Sequence, residues 1–250
     1  MNLLSSLIFG IVEGLTEFLP VSSTFHLIVT GRILGLESTD YLKLYEVVIQ
    51  AGAILALLFI YTKTILQDKK LFLNVIYSFL PTAIVGFSLH KIIKDIFFES
   101  NWLMLGSFVS VGIIFLVLEK VFKSMPNYLN KDCTKLSLRD AVLIGLSQSL
   151  AVIPGVSRSG SVIVMMMLLH YKRDEAAKYT FLLSMPTIIS ASLLDLYQGR
   201  DLIFSMTDGY LYLFIGATTA FIVAYFVMKW LIGYLSNHTL AIFGWYRLAV

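Results

Sequence analysis

Glu13 and Glu17 stand four residues apart in an otherwise apolar stretch, Gly10-Ile-Val-Glu-Gly-Leu-Thr-Glu-Phe-Leu-Pro20. That spacing puts both carboxylates on one face of a helix. Side by side in an apolar setting they repel, so one keeps its proton or a divalent cation (Mg or Ca) lies nearby. Pro20 limits the helix, and Val21-Ser22-Ser23-Thr24-Phe25-His26 follows. Hydroxyls with a histidine and two acids close by are the ingredients of nucleophilic or general-base catalysis. Ser23 and His26, three apart, can face each other on one helical turn. Ser22 and Thr24 suit a helix cap as well as they suit a site.

A second polar group, Pro154-Gly-Val-Ser157-Arg158-Ser159-Gly160-Ser161, opens another apolar run. Serines between glycines at the start of a helix resemble an anion cradle. Backbone N–H groups there attract phosphate, and the Arg158 guanidinium adds a two-pronged donor. An arginine in an apolar region needs a partner, met by a first-motif carboxylate or a substrate phosphate. Glu46 and Gln50, again four apart, can reach the same cavity. Tyr246-Arg247 reads as a snorkelling pair at an interface. Cys133 is a lone loop cysteine, with no partner for a disulfide and no metal-site spacing.

The two polar groups are related. Gly10 to Thr24 aligns without gaps on Gly145 to Ser159 at an offset of 135, pairing Glu13 with Gln148, Val21 with Val156 and Ser22 with Ser157. Tyr45 to Gln50 resembles Tyr179 to Ser184 at an offset of 134. A duplicated unit is expected, residues 1–125 and 136–250 of one integral domain. Its two polar motifs would meet at the centre, as in membrane proteins that bind ligands at a repeat interface.

Composition says what holds them. Of 250 residues, 58% are hydrophobic and 14% charged, against about a quarter charged in soluble domains. Such a chain is solvated by lipid, and an all-α polytopic membrane protein is expected. Apolar runs lie near 3–12, 18–36, 44–60, 73–89, 102–118, 141–153, 160–171, 176–197, 210–235 and 239–250. Those near 3–12, 141–153 and 160–171 are short and end beside Pro or Gly-Ser clusters, which predicts re-entrant or broken helices. The first basic residue is Arg32, so no cleaved leader is expected. Lys63, Lys69 and Lys70 mark one loop, and Lys120, Lys123, Lys131, Lys135 and Arg139 another. Two spans separate them, so both are placed on the cytoplasmic side. The loop with Lys91, Lys94, Asp95 and Glu99 is charge-balanced and placed outside.

The two motifs together resemble the undecaprenyl-diphosphate phosphatase family of bacteria, known also for bacitracin resistance. The resemblance runs over essentially the whole chain, including Tyr45-Glu-Val-Val-Ile-Gln50, Phe181-Leu-Leu and Tyr246-Arg247. It implies interlocked inverted repeats with re-entrant helices in the bacterial inner membrane, the site opening outward. It implies a hydrolase acting on a phosphoric anhydride, converting the C55 isoprenyl diphosphate to the monophosphate carrier of peptidoglycan synthesis. Glu13, Glu17, Ser23, His26 and Arg158 are then the functional residues, and Ser22, Thr24, Ser157, Ser159 and Gly160 hold phosphate. The lipid substrate and membrane lipids are the expected partners, with bacitracin competing for the substrate. No nucleic acid is expected, and a homodimer is left open. One position departs: Phe25 stands where the family, and Gly160 in the repeat, have glycine. A transporter or flippase for a polyprenyl phosphate, or a silent lipid-binding protein, are the competing readings.

Overall fold

The computed structural model describes the backbone of residues 1–92, 100–125 and 127–250, and their side chains except at 63–66, 90–92 and 205. Eleven α-helices follow one another among the described residues: α1 (Leu3–Thr16), α2 (Ser23–Ile33), α3 (Asp40–Gln67), α4 (Lys69–Ile92), α5 (Asn101–Lys123), α6 (Leu138–Ser149), α7 (Arg158–Leu168), α8 (Arg173–Gln198), α9 (Arg200–Ser205), α10 (Gly209–Asn237) and α11 (Ala241–Ala249). The only β pairing among those residues is an isolated bridge between Lys131 and Tyr171.

Five helices are long and apolar enough to cross a membrane: Asp40–Thr62, Lys69–Leu89, Asn101–Lys123, Arg173–Gln198 and Gly209–Asn237. Their outward faces carry Phe59, Phe87, Phe214 and Phe226, all exposed. Lipid accepts such side chains, which water would not. The protein is a multi-pass, all-α membrane protein.

The remaining apolar runs make short helices. At 1.5 Å per residue, a helix the length of α1 reaches about 21 Å, short of a hydrocarbon core of about 30 Å. The run at 18–36 is divided, because residues 17–22 form a turn before α2 begins. Both ends of the α1–α2 hairpin lie at one end of the bundle. Met1 shares a cavity wall with Thr39, Asp40 and Leu202, and Arg32 donates to Asn101 at the start of α5. The α6–α7 hairpin starts and ends at the opposite end. Asn130 and Lys131 N–H groups donate to the His170 carbonyl, each at 2.9 Å. Lys70 Nζ reaches the Thr134 carbonyl at 3.2 Å, so the two basic segments meet there. Lys94, Asp95 and Glu99, with the side chains of Lys63 and Lys91, lie outside the described residues.

Helix bounds keep the register of the sequence duplication. Starting from Ser23–Ile33, an offset of 135 gives 158–168, the span of α7. Packing is reciprocal: α1 lies against α10, and α6 against α4. Both approaches are close enough to need glycine at equivalent positions. A β-carbon on Gly10 would fall 2.5 Å from the Gly216 carbonyl oxygen, and one on Gly145 would run into the Ser78 carbonyl.

Candidate active site

Each short helix pair breaks at its polar motif, and the two breaks meet. At the first, α1 ends at Thr16 and α2 restarts at Ser23. Ser22 takes φ 68° and makes no capping bond through its side chain. Left-handed backbone is uncommon for a residue with a β-carbon and costs on the order of 1–3 kcal/mol. It turns the chain so that α2 starts with its first N–H groups uncapped, a ready seat for an anion.

The second break differs at the equivalent residue. Ser157 has φ −74° and caps α7, its Oγ accepting from the Gly160 N–H at 3.1 Å. Ser159 Oγ donates to the Leu19 carbonyl at 2.9 Å. Of the groups expected to cradle phosphate, the Gly160 amide is therefore engaged in capping α7 and the Ser159 hydroxyl in holding the two breaks together. The open helix start belongs to the first motif.

Glu17 is the hub. It accepts from Ser23 Oγ at 2.6 Å and from Arg158 Nη2 at 2.8 Å. Arg158 Nη1 reaches the Thr180 carbonyl at 3.4 Å. The ion pair is nearly buried, and one carboxylate thus joins the hydroxyl of one motif to the guanidinium of the other. Beside it lies a cavity of about 470 Å³. Glu17, Ser22, Ser23, Thr24, Ser157 and Arg158 form its polar floor, and Gln50 joins its wall. The walls turn apolar toward Phe87 and Leu194, near the ends of α4 and α8.

Five predicted residues lie off this lining, Ser159 among them. Glu13 is wholly buried, and among the described residues neither oxygen has a hydrogen-bond donor. Gly160 and Glu46 do not line the cavity. His26 does not bond to Ser23. Its Nδ1 lies 2.7 Å from the Ser22 carbonyl and its Nε2 2.7 Å from the Tyr246 hydroxyl. A carbonyl only accepts, so Nδ1 carries a proton, and in neutral His26 Nε2 accepts from the tyrosine.

The reading of Arg247 is corrected. Arg247 does not snorkel: it is 1% exposed. Its Nε donates to the Pro20 carbonyl at 2.9 Å, and its Nη1 to the Phe108 and Gly155 carbonyls at 3.0 Å each. Pro20 and Gly155 are equivalent at the offset of 135, so one guanidinium holds both breaks. Carbonyls freed where a helix breaks inside lipid need donors, and that draws the arginine inward. Its Cζ also lies over the Phe108 ring, 4.7 Å from the centroid. Phe25, where the family has glycine, takes ordinary helical backbone. It lies inside α2 and stacks on Phe108, centroids 3.9 Å apart. Gly160 is likewise helical, and is small because the Phe115 ring packs 2.8 Å from where its β-carbon would be.

Among the described residues no group of three or more His, Cys, Asp or Glu side chains could hold a metal ion. Two adjacent carboxylates, one without any hydrogen bond, still suit a cation that completes its shell with water and phosphate oxygens, as Mg²⁺ commonly does. Outside the bundle, burial pushes the Cys133 thiol up, with Glu175 beside it, so this cysteine is no nucleophile.

The sequence profile described as Bacitracin resistance protein BacA matches residues 6–250. The chain belongs to the BacA family. BacA-family relatives named undecaprenyl-diphosphatase include one from Aquifex aeolicus, 42% identical over 98% of this chain and 94% of its own length. Another from Campylobacter hominis is 40% identical over 100% and 96%, and one from Sulfurihydrogenibium 42% over 99% and 96%. Within this BacA-family chain, sequence reasoning overlooked Arg247 as a site element and did not single out Thr82 or Thr187 on the cavity wall. An arginine in an apolar terminal run was the available signal for the first. Each threonine directly follows a proline inside a span, Pro81 and Pro186.

Proposed function

We propose that this protein hydrolyses undecaprenyl diphosphate to undecaprenyl phosphate and inorganic phosphate, returning the lipid carrier to cell-wall synthesis and conferring bacitracin resistance. The observation that carries the reading is the joint bonding of Ser23 and Arg158 to Glu17 on the floor of a cavity whose mouth is apolar. Phosphoryl transfer asks for positioning and charge stabilisation more than for covalent chemistry. A guanidinium and an uncapped helix start offer that stabilisation to a diphosphate. The isoprenyl chain leaves between α4 and α8, past the exposed Phe87 ring, where lipid already solvates it.

In this reading Arg158 exchanges Glu17 for a phosphate oxygen, which frees the carboxylate. Ser23 Oγ then attacks the terminal phosphorus, or orients the water that does; the anhydride P–O bond breaks, undecaprenyl phosphate leaves, and Glu17 takes the proton of the attacking hydroxyl or water. Glu17 fits that role better than His26, because the Ser23 hydroxyl already points at it. His26 supports the turn by holding the Ser22 carbonyl. A divalent cation, held by Glu13 and Glu17, would offset charge on the diphosphate. Duplicated, inverted halves are supported by the reciprocal packing and by hairpins entering from opposite ends. The basic end, with Lys69, Lys70, Lys131 and Lys135, faces the cytoplasm by the positive-inside rule. Phe87 and Leu194 lie toward the other end, so the site opens outward from the inner membrane.

Phosphate release from the C55 diphosphate by purified protein in detergent tests the reading, since transport needs compartments and hydrolysis does not. Arg158→Ala should lower kcat/KM by about 10³-fold or more, by analogy with arginines that stabilise phosphoryl transfer. Full activity in Arg158→Ala would overturn the assignment.

A further inference from the structure

Gln148 takes the place of Glu13 in the second motif, is 0% exposed and lines the cavity wall. Its Nε2 donates to Thr82 Oγ1 at 2.9 Å and to Thr187 Oγ1 at 3.2 Å. Both hydroxyls have already spent their protons. Thr82 donates to the Gly145 carbonyl at 3.1 Å, and Thr187 to the Leu183 carbonyl at 3.0 Å. Each hydroxyl carries a single proton, so both can only accept from the amide. Presenting NH₂ to the threonines keeps all four bonds, whereas the reversed amide would take both hydroxyls from the carbonyls and strand its two N–H groups, so the network favours this orientation. Oε1 is left as a buried acceptor with no partner among the described residues. A buried acceptor without a donor is costly and calls for a ligand that supplies one.

The cavity thus has two chemically opposite parts. Arg158, the serine hydroxyls and the start of α2 offer donors, which suit phosphate oxygens. Gln148 keeps a carbonyl oxygen just behind the wall, closed to water as the wall stands; it repels a phosphate anion and suits a small neutral donor admitted as the wall gives way to substrate. We propose that Gln148 holds and aims the water molecule consumed in the hydrolysis, an assignment that rests on the diphosphatase reading. One water hydrogen is donated to Oε1, which directs an oxygen lone pair toward the phosphoryl group. In the step itself the water oxygen forms the new P–O bond and the bond to the departing oxygen, of Ser23 or of undecaprenyl phosphate, breaks. The amide is not a base, so the water proton passes to the Glu17 carboxylate or to that departing oxygen. The Pro81-Thr82 and Pro186-Thr187 pairs in α4 and α8 hold the amide from two sides, and all four residues are positioning elements for Gln148.

The test is a competition between water and methanol, in which methyl phosphate and inorganic phosphate are counted together. Their ratio does not depend on how much protein is folded or on how well substrate binds. Gln148→Met, of similar length and without the acceptor, should lower kcat by about 10–100-fold, the range expected when a reacting group loses its positioning. KM should stay within a factor of about three, because the phosphate contacts are untouched. The ratio of methyl to inorganic phosphate should rise at least threefold. An unchanged ratio in Gln148→Met would refute the assignment. Should that variant fail to insert, Thr187→Val removes one of the two acceptors while keeping size, and its ratio should rise in the same direction; no change there refutes the proposal equally. Unmodified protein that releases no phosphate at all would overturn the diphosphatase reading, and this inference with it.

Discussion

Arg247→Lys keeps the charge at the meeting point of the two breaks and removes the geometry. Three carbonyls now share one guanidinium, at 2.9, 3.0 and 3.0 Å. Phe108 lies within α5 and keeps its helical donor, whereas Pro20 and Gly155 lie in breaks and depend on Arg247. An ammonium has three donors but not the rigid fork that now meets both carbonyls from two nitrogens, so at least one contact lengthens. A carbonyl left poorly bonded in a buried place costs up to about 1–3 kcal/mol. On the scale of domains this size that lowers the melting temperature by roughly 2–12 °C. The larger effect is on catalysis. Pro20 precedes Ser22 by two residues and Gly155 precedes Arg158 by three, so loosening either moves the hub. A displacement of about 1 Å at reacting groups can cost about 10²-fold in rate. Thermal unfolding in detergent, followed by fluorescence of Trp102, Trp230 and Trp245, gives the first quantity, and initial rates of phosphate release give the second. Arg32→Lys, at an exposed arginine bonded to Asn101, is the control and should match the unmodified protein. Arg247→Lys with unchanged melting and unchanged kcat would refute the argument that this residue couples the two motifs.

Phe25→Gly should reduce stability by about 3–5 kcal/mol, through loss of a buried ring stacked on Phe108, and should not raise activity; a large gain in phosphate release would show instead that Phe25 obstructs the site. Ser22→Gly and Ser157→Gly should differ in sign, although the two serines are equivalent in the repeat. The first relieves a left-handed φ of 68° and stabilises by up to about 1 kcal/mol, while the second removes a cap and costs a few tenths to about 1 kcal/mol. Melting curves of the two variants decide this, and equal shifts would sink the reading of the Ser22 turn.

Much of this protein was determined by sequence alone, because bilayer solvation leaves few choices. Scarce charge and long apolar runs force helices, and the positions of Pro20, Pro154 and the Gly-Ser clusters force two of the helix pairs to break. The duplication, legible as Gly10–Thr24 on Gly145–Ser159, already paired the two motifs and matched the later helix bounds of α2 and α7. Residue types likewise marked Glu17, Ser23 and Arg158, since a buried acid and a buried arginine must find partners. Tertiary structure alone decided which partners those were. It gave Ser23 to Glu17 and turned His26 toward Tyr246, because a turn at Ser22 with positive φ sets where each side chain points, and no spacing rule encodes that. It drew Arg247 into the core, where carbonyls from chain positions 135 residues apart need one donor. It also fixed the amide of Gln148, through two threonines on separate spans whose protons were already spent. Sequence determines which groups must be satisfied, but the satisfying group comes from wherever the packed helices bring one within about 3 Å.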